Sequence, residues 1–110
     1  MRDNIFYQGE NIPLSISSAE GFSGCDFIVM VYHVYDRNKM IIRRKSDFVE
    51  EEIEGERMLS AVLPHEETLS LPAGEYAVEM MIEEDDGYRS IYQDLHAFKL
   101  KFSNIKNIVS

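Results

Sequence analysis

The sequence predicts an all-β protein, an antiparallel β-sandwich of about seven strands with one helical turn near residues 64–71. Three observations carry this reading. Apolar and polar residues alternate in short runs, which is the period of a half-buried strand. Turn-forming residues separate the runs, and Asp85-Asp86-Gly87 is the clearest hairpin signal among them. Last, the segment Leu63–Tyr76 (LPHEETLSLPAGEY) reads as one turn of helix that passes through Pro72 and Gly74 into a strand opening on Tyr76.

Taken in order, Ile12, Leu14 and Ile16 alternate with Pro13, Ser15 and Ser17 in a first strand. Pro13 lacks an amide donor and so belongs at a sheet edge. Residues 18–24 form a small-residue loop. Phe27–Tyr35 is apolar on both faces apart from His33, the pattern of a central strand covered on both sides. Asp36-Arg37-Asn38-Lys39 reads as a hairpin turn with Asn38 at φ > 0, and Met40–Lys45 returns as the next strand. Asp47–Glu56 reads as acidic and irregular, with a turn at Gly55, and Met58–Leu63 as a further strand.

Pro64 then takes the first helical position, with Glu66 and Glu67 in the first turn beside the positive helix end. In the strand that follows, Tyr76, Val78, Met80 and Ile82 share one face, and Ala77, Glu79, Met81 and Glu83 the other. Tyr88–Leu95 returns across the Asp-Gly hairpin, and Phe98, Leu100 and Phe102 alternate in a last strand. An aromatic at such a strand entry suits the corner of an immunoglobulin-like sandwich, where a Tyr hydroxyl ties the strand to the preceding loop. Leu71, Gly74 and Tyr76 are the residues of that corner. The division is a single sandwich domain over residues 1–104 and a tail over 105–110. In the tail, Ile105, Ile108 and Val109 stand at helix-like offsets, as a docking segment would.

Composition narrows the function. The chain has 110 residues, 45% of them apolar and 28% charged, as in an ordinary globular domain. A net charge of −9 argues against a nucleic-acid partner and an anionic membrane surface, since both need clustered Lys and Arg. The single cysteine, Cys25, permits no internal disulfide, and it reads as a small apolar residue at a strand start. Met1–Ile5 lacks the apolar core of a secretory signal, and no run approaches a membrane span, so a cytoplasmic product is expected.

No constellation of catalytic type emerges. His33, His65 and His96 lack the spacing that would place two imidazoles on one metal. Glu50-Glu51-Glu52 and Glu83-Glu84-Asp85-Asp86 are consecutive, so their carboxylates point to alternate faces of a strand and read as solvated. There is no nucleophile elbow and no phosphate-cradling loop. No cofactor, no metal and no enzymatic activity are expected. The basic cluster Arg37, Lys39, Arg43, Arg44 and Lys45 precedes the acidic run Glu50–Glu56. If the two pair as neighbouring strands, cross-strand ion pairs follow; otherwise they make a complementary patch for a neighbouring subunit.

At Leu63–Tyr76 the chain resembles the immunoglobulin-like N-terminal domain of phage baseplate upper proteins and related tail and prophage structural proteins. That family carries a segment of the type Leu-Thr-x-Glu-x-Thr-x-x-Leu-x-x-Gly-x-Tyr before an acidic-Gly hairpin. Leu63, Glu66 or Glu67, Thr68, Leu71, Gly74 and Tyr76 stand at or near its spacing, and Asp85-Asp86-Gly87 follows. Gln8-Gly9-Glu10-Asn11 looks like the family's Gly-acidic step into a first strand, and Asp26-Phe27 like its second. Pro64 departs from the usual Thr, and Phe48–Met58 lacks the family's Asp-Gly turn. The resemblance implies a non-enzymatic, virion-associated assembly module whose partners are other protein subunits, itself included. The residues expected to contact partners are Arg43, Arg44, Tyr88, Tyr92, Ile105 and Ile108. The rival reading is a host-encoded adhesion or carbohydrate-binding sandwich, with Tyr88 and Tyr92 as exposed stacking platforms.

Overall fold

The computed structural model describes residues 4–18 and 26–109. Among the described residues eight strands form two sheets. They are β1 (Ile5–Tyr7), β2 (Ile12–Ser18), β3 (Phe27–His33), β4 (Asp36–Arg44), β5 (Val49–Ile53), β6 (Glu56–Leu63), β7 (Gly74–Glu84) and β8 (Gly87–Lys101). A 3-10 turn, Lys45–Asp47, joins β4 to β5, α1 (His65–Ser70) joins β6 to β7, and a short α2 (Lys106–Val109) ends the chain. The sheets run β1-β8-β7-β3-β4 and β2-β6-β5. With β2, β5 and β6 as strands B, D and E, and β3, β4, β7 and β8 as C, C′, F and G, this is the two-sheet order of an immunoglobulin-like sandwich. Among the described residues no helix is long and apolar enough to cross a membrane.

The core lies between the sheets and follows the period-2 pattern. Ile12, Leu14 and Ile16 of β2 pair with Leu63, Ala61 and Leu59 of β6 and point inward. Opposite them stand Phe27, Val29 and Val31 of β3, then Tyr76, Val78, Met80 and Ile82 of β7, all buried. Burying each large side chain contributes roughly 1.5–3 kcal/mol, so this alternation fixes the register of every inner strand.

Several expectations need correction. Val49–Ile53, read as irregular, is a strand paired with β6 through the two-residue turn Glu54-Gly55. Both turn residues have positive φ, 52° and 83°, as a primed hairpin turn requires. The β3–β4 turn falls at Val34-Tyr35, not Asp36–Lys39, and Asn38 is not among the residues of positive φ. The pairing jumps from His33↔Asp36 to Tyr32↔Met40, so Arg37–Lys39 bulge out of the ladder. Thus the polar run leaves the sheet as a bulge, while the His33 ring accepts the Tyr35 amide (3.0 Å) and closes the shorter turn.

The two final strands are one, β8, whose pairing with β7 is interrupted at Tyr76/Val78 and at Met80/Met81. These irregularities break the alternation and made one strand read as two. An unanticipated β1 adds beside β8 in parallel, an exception to the antiparallel pattern. Pro64 is the N-cap of α1 and not its first residue. It offers no side-chain acceptor, and Asn11 Oδ1 accepts the His65 amide instead (2.8 Å). Cys25 and the loop expected before it, apart from Ser18, lie outside the described residues.

Candidate partner-binding surface

The corner fixes the sandwich and so positions the surfaces. Tyr76 Oη donates to Pro72 O at 2.6 Å, and the Tyr76 ring stacks on Phe98 with centroids 5.0 Å apart. Burial, with a smaller push from the Asp36 carboxylate, raises the Tyr76 phenol to about 12. Gly74 has φ +142°, and a Cβ there would run into the His33 ring. Since His33 Nδ1 accepts from Tyr35, its Nε2 carries the proton and donates to Ala73 O (3.0 Å). Leu71 is buried, and its carbonyl accepts from Gln8 Nε2 (2.8 Å).

Gln8 was missed by sequence reasoning, although it begins the Gln8–Asn11 step. It is buried, and its Oε1 accepts the Ser103 amide (3.2 Å). One amide side chain therefore ties the corner to the tail. Ile105 packs near Gly9 and Leu69, while Ile108 is 78% exposed. The two expected tail contacts thus divide: Ile105 touches the domain and Ile108 faces solvent.

The outer face of the five-stranded sheet presents its own rows. Across β7, β3 and β4 stand Met81, Ile28 and Arg44, then Glu79, Met30 and Ile42, then Ala77, Tyr32 and Met40. Arg37, released by the bulge, lies over the Tyr32 ring at 5.2 Å and helps bury it. The rest of the face remains open: Ile28, Met30 and Met81 are half-buried, Met40 and Ile42 exposed. The expectation that β3 is covered on both sides is met at Tyr32 and only in part at Ile28 and Met30. Three methionines on one face give it an adaptable apolar surface.

Arg44 and Tyr88 come together at the end of this sheet far from the corner. They line a cleft of about 500 Å³ with Ile28, Lys45, Ser46 and Glu83. Tyr92 goes elsewhere. It pairs with Met80 on the inner side, whereas Tyr88 pairs with Glu83 on the outer side. Tyr92 faces a second cleft, of about 280 Å³, between β2 and β8, with Phe6, Leu14, Asp94 and Phe98 in its walls. Burial, assisted by Asp94, raises its phenol. Tyr88 and Tyr92 therefore do not form a common stacking platform.

The ion pairs also differ from the conditional expectation. β4 and β5 belong to different sheets, so the basic and acidic segments are not strand neighbours. Arg43 pairs with Glu67 of α1 instead, and Glu52 stands 4.0 Å from Arg57. Among the described residues no group of three or more His, Cys, Asp and Glu could hold a metal. No protein-family model matches the chain, and no curated protein does.

Proposed function

We propose that this domain is a non-enzymatic assembly module of the kind found in phage or prophage baseplates and tails, acting through protein–protein contacts. The observation that carries the reading is the outer face of the five-stranded sheet. Met30, Met40, Met81, Ile28 and Ile42 gather there, with Arg44 at the rim and Glu79 within the rows. An apolar centre with sparse charge is the pattern of a surface that a neighbouring subunit covers. The immunoglobulin-like strand order and the Tyr76 corner support the resemblance at the level of fold. Tyr88 and Tyr92 lie on opposite faces of the sheet, which favours this reading over a carbohydrate-binding one that uses both.

The test is co-expression with each protein encoded by the flanking genes, with complexes sized by light scattering. A stoichiometric complex that is lost on Ile42→Lys or Met30→Lys, with the domain still folded, is the expected result. A domain that forms no such complex, or keeps it with both substitutions, and that binds glycans on an array, would overturn the reading.

A further inference from the structure

The second surface is the side of the sandwich where both sheets end, at β4 in one and β5 in the other. Among the described residues neither strand has a partner on its outer edge. Only four residues separate Arg44 from Val49, so the end of β4 and the start of β5 lie at the same end of the sandwich. β4 carries Arg37, Lys39 and Arg44, all exposed, while β5 carries Glu50, Glu51 and Glu52. Beyond the bulge, the regular part of β4 is Met40–Arg44, five residues long, and β5 is also five. Each holds two exposed apolar residues on its sheet's outer face: Met40 at 42% and Ile42 at 51%, Val49 at 59% and Ile53 at 47%.

We infer that this side binds a second copy of the chain, β4 of each copy lying antiparallel to β5 of the other. A two-fold axis along the strands brings both contacts about at once, because the two edges share one side and run in opposite directions. The five-stranded sheet of one copy then continues into the three-stranded sheet of its partner. The register that sets Arg44 opposite Glu51 also sets Ile42 opposite Ile53. Opposite charges and an apolar pair thus fall on the same face.

The charge pattern selects this pairing over others. Two β4 edges would set cations against cations, and two β5 edges carboxylates against carboxylates. A charged edge ordinarily prevents pairing altogether, but here the two free edges have opposite signs. On β5, Val49 and Ile53 would otherwise be exposed apolar residues on an edge strand. This edge shares Met40, Ile42 and Arg44 with the outer sheet face, but Met30→Lys touches that face alone and Glu51→Arg this edge alone, so the two tests read separately.

Sedimentation velocity of the full chain, from micromolar to millimolar at low salt, should show a monomer–dimer equilibrium that weakens in 0.5 M salt. Arg44→Glu alone and Glu51→Arg alone should each raise the dissociation constant about tenfold or more. Mixing the two variants should restore a dimer, since each then meets an opposite charge at both contacts. The double variant, with both charges exchanged in one chain, should dimerise by itself, and the mixed dimer shows that the single variants fold. A wild-type chain that stays monomeric, a dimer indifferent to either reversal, or a mixture that fails to pair would each overturn the inference.

Discussion

Tyr76 concentrates two effects in one side chain. Its ring fills the core against Phe98 and His33, and its hydroxyl donates to the Pro72 carbonyl. Replacing it by Phe keeps the ring and removes the hydrogen bond, leaving the part-buried Pro72 carbonyl without that donor. Chemical denaturation should show a loss on the order of 1 kcal/mol. The raised phenol gives a second signature. In the unfolded chain Tyr76 ionises near its ordinary 10, whereas in the folded domain it holds its proton to about 12. Folded molecules therefore bind more protons between these values, so stability falls as pH rises from 10 to 12. Tyr76→Phe should flatten that part of the stability profile. An unchanged alkaline profile would remove the ionisation argument, and an unchanged midpoint at neutral pH would remove the hydrogen-bond argument.

At the scale of elements, α1 shows how the chain's distant parts meet. It is six residues long, too short to hold itself, and is fastened from outside. Asn11 caps its first amide. The fully buried Thr68 Oγ1 donates to Glu10 O (2.8 Å) and accepts from Gly9 N (3.0 Å). Thr68→Val preserves the volume but deprives the part-buried Gly9 amide and Glu10 carbonyl of their partner. The expected cost is roughly 1–3 kcal/mol, read from the denaturation midpoint, with faster amide exchange at Gly9 as the specific sign. Equal stability and unchanged exchange would show that water replaces the hydroxyl.

The same element shows what could be read from the chain. Leu71, Gly74 and Tyr76 were legible because a corner depends on local spacing, and the alternation in β7 because one face is buried without interruption. By contrast β5 was hidden: as an exposed edge strand it carries Glu50, Glu51 and Glu52 and has no buried residue to mark a period. The continuity of β8 was hidden by its bulges. Arg43 illustrates a further limit. Its partner Glu67 lies in α1, and only the folded chain brings them together.

For the molecule as a whole, the decisive division is between the two faces of the five-stranded sheet. Both are apolar in composition, yet they bury their residues against different things. The inner face meets β2 and β6, and there Leu63 is fully buried. The outer face meets solvent at Met40 and Ile42. If the outer face serves partners and not the fold, its substitutions should leave the isolated domain nearly untouched. Leu63→Ala should cost about 2–5 kcal/mol, since it opens a cavity where the two sheets cannot close up. Ile42→Lys should stay within about 0.5 kcal/mol, because the long side chain lies along the surface and keeps its charge in water. Thermal melts of the two variants, measured at a concentration where the chain is monomeric, make the comparison. A loss at Ile42 as large as that at Leu63 would mean that the outer face is covered by the chain itself. It would then be unavailable to a neighbouring subunit, and the assembly reading would lose its surface.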